Sequence, residues 1–221
     1  MKKTQGLLAA GLLAVTLHAA NDAVKRLDTS AMVLDEIMKT PDKGIPQDLF
    51  SKAVCTIIVP DLKKGAFIVG GKYGRGFISC RKHGGGWSAP AGVKVEGGSF
   101  GLQLGGSSTD VVLLLMNEDG KEKLLQSKFT LGADGSAAIG PVGRSSSAAT
   151  DAQMHAEILS WSRSRGVFAG ISLEGATLRP DEDTNKDLYR KPTTNREIVS
   201  GSIEPPPAAG KLVSALDRYA H

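Results

Sequence analysis

Cysteine is scarce in this chain, a strong charge bias is missing, and the familiar catalytic signatures are absent. Two cysteines, Cys55 and Cys80, exclude a disulfide-dense scaffold and leave room for a single bridge. Lys and Arg number 27 against 23 acids. Residues 1–20 hold Lys2 and Lys3 and no acid, so the remainder carries 25 against 23, a net charge of +2. That balance argues against a nucleic-acid binder, which needs a strongly basic face. Beyond residue 20 no apolar run is long enough to cross a bilayer.

The enzyme motifs fail one by one. Gly84-x-Gly86-x-x-Ala89 imitates a dinucleotide fingerprint, but Pro90 stops the helix that must follow it. Gly71-Lys72 lacks the upstream glycine and downstream hydroxyl of a phosphate loop. No serine sits in a G-x-S-x-G elbow. Cys80 and His83, with Cys55 and His155 as remote partners, have zinc-like elements but no second paired motif. No pair of carboxylates has an acid–base setting. The expectation is a non-enzyme with no metal and no cofactor.

Residues 1–20 read as a cleavable leader. Lys2 and Lys3 give the positive start, Gly6 to Leu17 the apolar stretch, and His18-Ala19-Ala20 a small-residue cleavage site. The mature chain is therefore expected in the periplasm or secreted, in peripheral contact with a membrane. In that oxidising setting Cys55 and Cys80 are either disulfide partners or two small core residues.

Residues 21–39 place Val24, Leu27, Ala31, Leu34 and Met38 at spacings of three and four, the stripe of an amphipathic helix. Such a stripe lies in a lipid interface or docks on its own domain. The mixed charge of its polar side, Lys25, Arg26 and Lys39 among Asp22, Asp28, Asp35 and Glu36, favours docking. A short helix is expected from Gln47 to Lys52. Closely spaced apolar runs then predict strands at 56–59, 66–69, 77–80, 99–104, 111–116, 128–131, 137–139 and 167–173. Turns are expected at 60–65, 70–76, 83–86 and 117–120, and a hairpin at Ala133-Asp134-Gly135. The spacing leaves no room for crossover helices, so the fold class is α+β and mainly β, a curved antiparallel sheet or barrel-like core. The domain is expected over 21–191, with a helical lead-in at 21–52 and a β core at 53–191. From Pro192 a proline-containing tail ends in a short helix.

Twenty-two of the 27 glycines lie between Gly65 and Gly175. Glycine within strands marks bulges, bends or close backbone approach. It also bares main-chain amides, and Gly70, Gly71, Gly74 and Gly76 suggest an anion-binding nest. Cations gather beside them: Lys63 and Lys64, Lys72 and Arg75, Arg81 and Lys82, and Arg144 in the GPVGR segment. Each alone reads as an ordinary charged turn. Together they predict one basic rim, where each cation adds about 1 kcal/mol near an anionic membrane.

The ordered set IPQDLFSKA from Ile45, KKGAFIVGGKYGRGF from Lys63, WSAPAGVKVEGGSFGLQLGG from Trp87, TDVVLLLMN from Thr109, KFTLGADGSAAIGPVGR from Lys128 and SWSRSRGVFAGISLEG from Ser160 resembles the SYLF domain family, over about Ile45 to Arg190. The resemblance implies a lipid-binding module. Eukaryotic members bind phosphoinositide-containing membranes, some bind actin, and secreted bacterial relatives are described as lipid-binding. It also implies membrane contact through the leading helix, here Val24, Leu27, Leu34 and Met38. This chain departs from that pattern in its leader and in lacking a basic helix face. The expected partner is an anionic lipid surface; the alternative is an envelope protein, bound by an actin-binding-like surface with no lipid ligand.

Overall fold

The computed structural model describes residues 4–41, 43–66, 70–99, 107–140, 155–164, 167–168, 173 and 175–220 and, from Asn21 onward, most of their side chains. Helix α1 runs Thr4–Lys39 and α2 Gln47–Lys52. Strands follow at β1 Cys55–Ala66, β2 Gly70–Cys80, β3 Ala91–Ser99 and β4 Ser107–Leu115. Helix α3 Glu118–Leu124 leads to β5 Phe129–Thr130, β6 Ala137–Ile139, β7 Ile158–Ser164, β8 Val167–Phe168 and β9 Thr177–Pro180. The chain closes with α4 Glu182–Tyr189, the single turn α5 Asn195–Glu197 running into a π-type turn, and α6 Gly210–Arg218.

The nine described strands form one sheet in the order β5-β9-β3-β2-β1-β4-β7-β6, with β8 beside β7. Every pairing is antiparallel except β6 with β7. The expected α+β class with a curved sheet is what is seen, the sheet curling into a half-barrel. Helix takes about as large a share as strand, because α1 reaches back through the leader-like segment and the C-terminal segment is helical.

Strand alternation divides the apolar residues between two faces. Ile57, Val59, Ile78, Val93, Leu113 and Ile158 point to an inner core closed by Phe129, Leu178 and Ile198. Ile58, Phe77, Val112, Leu114 and Trp161 point outward, where α1, α2 and α6 cover them with Leu27, Leu34, Ile37, Phe50 and Leu212. Residues 192–220 are thus no loose tail. Leu212, Ala215 and Leu216 are buried against α1, and ion pairs Asp28–Lys211 and Asp35–Arg218 flank that contact at 3.1 and 2.8 Å.

Four sequence expectations shift. Residues 60–65 are part of β1, with a break of register between Ile58 and Lys63 and Asp61 at φ 55. Residues 70–76 are the first half of β2. The 133–135 turn does not join paired strands, since β5 pairs with β9 and β6 with β7. Apolar runs alone missed these because glycine and lysine carry β1 and β2 past the end of the core. The 117–120 segment starts a helix, with the Asn117 side chain accepting from the Gly120 amide at 2.8 Å.

Two glycines set how closely β2 lies on β1. A Cβ at Gly76 would stand 2.0 Å from the Ile58 carbonyl oxygen, and one at Gly74 would stand 2.8 Å from side-chain carbons of Leu62 and Val59. On the other side of β2, Gly92 of β3 lies just past the β9 pairing. Its amide donates to Asn185 Oδ1 at 2.7 Å and its carbonyl accepts from Asn195 Nδ2 at 2.9 Å. Asn185 Nδ2 also donates to Asn195 Oδ1 at 2.7 Å, and the Gly92 carbonyl accepts from the Asp181 amide at 2.9 Å as well, so two buried side-chain amides complete the bonding of Gly92 where the β9 pairing stops. Cys55 and Cys80 are register partners on β1 and β2 and are joined by a disulfide, with Cα atoms 4.0 Å apart. That bond also takes both sulfurs out of any zinc set.

Gly76→Ala is expected to destabilise the protein by about 3 kcal/mol or more, because backbone rather than a movable side chain occupies the space. Gly98→Ala, with nothing within 4 Å of the added carbon, is the control and should be within about 0.5 kcal/mol of the parent. Urea unfolding of both variants checks the close approach; equal midpoints would contradict it.

Candidate functional site

The cations expected to share one rim occupy three separate places. β1 and β2 pair Lys63 with Tyr73, Lys64 with Lys72, and Gly65 with Gly71. Lys64 also lies opposite Ser107 of β4, and Lys72 opposite Gly97 of β3. Lys72 alternates with Gly74, Gly76 and Ile78, so Lys72 and its register partner Lys64 stand on the inner face, two residues past Gly74 and Leu62. Lys63 sits on the other face, 3.9 Å from Asp61.

Arg81 and Lys82 follow the far end of β2. Eight residues of strand separate Lys72 from Cys80, about 26 Å. Arg81 is structural: Nε donates to the Ala53 carbonyl at 2.9 Å, Nη2 to the Phe50 carbonyl at 3.1 Å, and the guanidinium lies 4.7 Å from the Trp87 ring centroid. It ties α2 to β2 and has little left for a ligand. Lys82 is exposed at its head, while its stem runs beside Gly201, where an added Cβ would meet it at 2.9 Å. Arg75 is on the outer face, with Nε 3.4 Å from the buried Asp181 carboxylate and donating to Tyr73 Oη at 2.9 Å. Arg144 lies outside the described residues.

The glycine nest also changes meaning. Gly70, Gly71, Gly74 and Gly76 belong to a strand hydrogen-bonded on both edges, by β1 and by β3. Gly74 and Gly76 are buried packing positions. Their amides are committed to the sheet. The cations at this hairpin end are its lysines, and a Cβ added at Gly71 beside them would meet only the Gly97 carbonyl oxygen, at 4.0 Å.

Electrostatics distinguish Lys64 and Lys72 from a typical surface pair. Lys64 is held below the ordinary lysine range by partial burial first and then by the charge of Lys72. Burial lowers Lys72 as well. Like charges directly opposite on adjacent strands are destabilising, and an anion between them removes that repulsion.

The leading helix is docked. Leu27 and Leu34 are fully buried in the outer core, Ala31 nearly so, and Met38 packs at its margin. Val24 is 37 % exposed and Met32, off the expected stripe, is 58 % exposed. In this arrangement Leu27 and Leu34 face the sheet and are not offered to lipid. Among the described residues, no helix is long and apolar enough to cross a membrane.

Arg81→Gln should lower stability by about 2 kcal/mol through two unsatisfied carbonyls, whereas Lys64→Gln should leave it unchanged or raise it. Thermal unfolding of the two variants side by side reads the difference; a larger loss for Lys64→Gln would reverse the assignment of roles.

Residues 96–219 match the family model described as "Ysc84: Las17-binding protein actin regulator", a span that includes the C-terminal helices. The chain is 35 % identical over 182 residues to LAS seventeen-binding protein 3 of Saccharomyces cerevisiae, covering 81 % of this chain and 39 % of that protein. An SH3 domain-containing protein of Schizosaccharomyces pombe is 36 % identical over 176 residues, with 78 % and 41 % covered. SH3 domain-containing YSC84-like protein 1 of Bos taurus is 33 % identical over 180 residues, with 81 % and 52 % covered. The chain thus spans about two fifths to a half of the length of these relatives.

Proposed function

The chain belongs to the Ysc84/SYLF family, and from that premise we propose that it is a non-catalytic binding module which recognises anionic phospholipid headgroups at the end of the β1–β2 hairpin. The observation that carries this reading is the in-register pair Lys64 and Lys72 on one face, both lowered by partial burial, with Lys63 beside them on the other. Burial and repulsion are costs that a bound phosphate offsets through charge-assisted hydrogen bonds to the two ammonium groups. Three lysines also give a point of contact that a flat anionic surface meets without a deep pocket, each worth about 1 kcal/mol there. The proposed site is narrower than the one read from the sequence: Lys63, Lys64 and Lys72 remain, Arg81 is released to structure, and main-chain amides take no part. The leader-like segment fits an exported protein that works at an envelope membrane.

A protein partner is the second reading. The names of the relatives speak of Las17 binding and actin regulation, and an acidic protein surface satisfies the same lysines. Co-sedimentation with vesicles separates the two. Vesicles with a fifth of their lipid anionic in phosphatidylcholine should retain the protein and vesicles of phosphatidylcholine alone should not. The Lys64→Glu/Lys72→Glu double variant should lose binding by roughly a hundredfold or more, and Lys82→Glu should change it by a few-fold at most. Retention on phosphatidylcholine vesicles equal to that on anionic ones would contradict the lipid reading.

The lowered lysines set the direction of the pH response. Their free-state pKa values lie below 10.5, and bound phosphate favours the charged form. Affinity is therefore full while both are protonated and falls as pH rises through their lowered values, before ordinary lysines discharge. Vesicle binding measured across the alkaline range should decline earlier for the parent than for Lys64→Arg, whose guanidinium stays charged; coincident curves would remove Lys64 from the site.

A further inference from the structure

The outer face of the sheet carries a second charged site that the lysine pair does not explain. Register places Arg75 of β2 opposite Lys94 of β3, and Lys94 opposite Arg179 of β9. Continuing the β5–β9 register by one residue beyond Phe129–Leu178 brings Lys128 beside Arg179. Three cations therefore follow one another across three neighbouring strands, a sequence of like charges that is unfavourable at each step, and Lys128 continues the line just before β5. Arg75 is neutralised by buried Asp181, and Arg179 is only loosely paired with Glu96 at 3.8 Å. Lys94 and Lys128 make no ion pair among the described residues.

Beside this ladder is an open cavity of about 280 Å³, lined by Lys94, Ser127, Arg179, Pro180, Glu182 and Asp183. Its two walls differ in sign. Lys94 and Arg179 rise from the sheet, while Glu182 and Asp183 belong to the first turn of α4. Acids in a first turn are ordinary on their own. Here they line the same cavity as Lys94 and Arg179 and have no ion-pair partner of their own among the described residues. A simple anion would meet Glu182 and Asp183 as repulsion, and a simple cation would meet Lys94 and Arg179.

We propose that this cavity binds a small zwitterion that joins a phosphate to a primary ammonium, the chemistry of a phosphoethanolamine group. The phosphate lies against Lys94 and Arg179, with the Ser127 hydroxyl within the same cavity. The ammonium lies against Glu182 and Asp183. Because the carboxylates accept hydrogen bonds, an –NH3⁺ group is favoured over a trimethylammonium, which has none to give. The site is on the opposite face from the Lys64–Lys72 pair, so it stands whether or not that pair binds lipid.

The test is an NMR titration of the intact protein with glycerophosphoethanolamine, glycerol 3-phosphate, ethanolamine and glycerophosphocholine, following the amides of Ser127, Arg179 and Asp183. Glycerophosphoethanolamine should bind at least roughly tenfold more tightly than the other three, the ratio expected for one charge-assisted hydrogen bond gained or lost. Lys94→Gln and Asp183→Asn should each erase that preference, while Lys64→Glu should leave it intact. Vesicles of phosphatidylethanolamine compared with phosphatidylcholine identify the source. Stronger retention on the former assigns a lipid headgroup, and a response to the soluble compound alone assigns a free phosphoamine. Equal affinity for glycerol 3-phosphate and glycerophosphoethanolamine, or a preference that survives both substitutions, would overturn the proposal.

Discussion

β2 can lie against β1 only because Gly76 has no side chain where the Ile58 carbonyl stands. That contact falls at the register break between Ile58 and Lys63, where β1 takes up its irregularity and Asp61 adopts a left-handed conformation. A bulge sharpens local twist and re-aims the residues beyond it. What lies beyond is Lys63, Lys64 and Gly65, delivered opposite Tyr73, Lys72 and Gly71. The curvature of the sheet and the pairing of the two inner-face lysines thus share one steric cause. The disulfide at the opposite end of the same strand pair holds the register from which this geometry is counted.

The outer layer keeps the cationic end rigidly placed without contributing to it. Leu27, Leu34 and Ile37 of α1 and Leu212 and Leu216 of α6 cover the outer face of the central strands. Arg81 fastens α2 to the sheet through two carbonyls and Trp87. Lys64 and Lys72 are partly buried on the inner face, each two residues along its strand from Leu62 or Gly74. An anion-binding function placed there uses a scaffold whose stability is settled elsewhere, so the cost of two facing ammonium groups is tolerated.

Much of this was readable from the chain because it rests on local pattern. The three-four spacing over Val24 to Met38, the apolar run before Met116 and the β-branched run at 56–59 each became the expected element. Long-range register was not readable. β1 and β2 pass through Lys63-Lys64-Gly65 and Gly70-Gly71-Lys72, sequences that look like turns because no apolar alternation marks them. The same limit hid the ladder of Arg75, Lys94 and Arg179, which are far apart in sequence and meet only through strand pairing. Arg81 misled for another reason. A guanidinium beside a histidine–glycine turn looks available until the carbonyls of Phe50 and Ala53 are placed against it. The C-terminal segment ends in the short helix expected of it, but its prolines gave no sign that they shape a connection between packed elements.

The central claim is that Lys63, Lys64 and Lys72, and not the cations at the far end of β2, meet an anionic surface. Lysine acetylation footprinting of the parent protein on anionic and on neutral vesicles tests it with no substitution. The account predicts slowed labelling of Lys63, Lys64 and Lys72 on anionic vesicles only, with Lys82 labelled at its free rate throughout. Protection centred on Lys82, or no protection at the β1–β2 hairpin end while the protein is vesicle-bound, would contradict it.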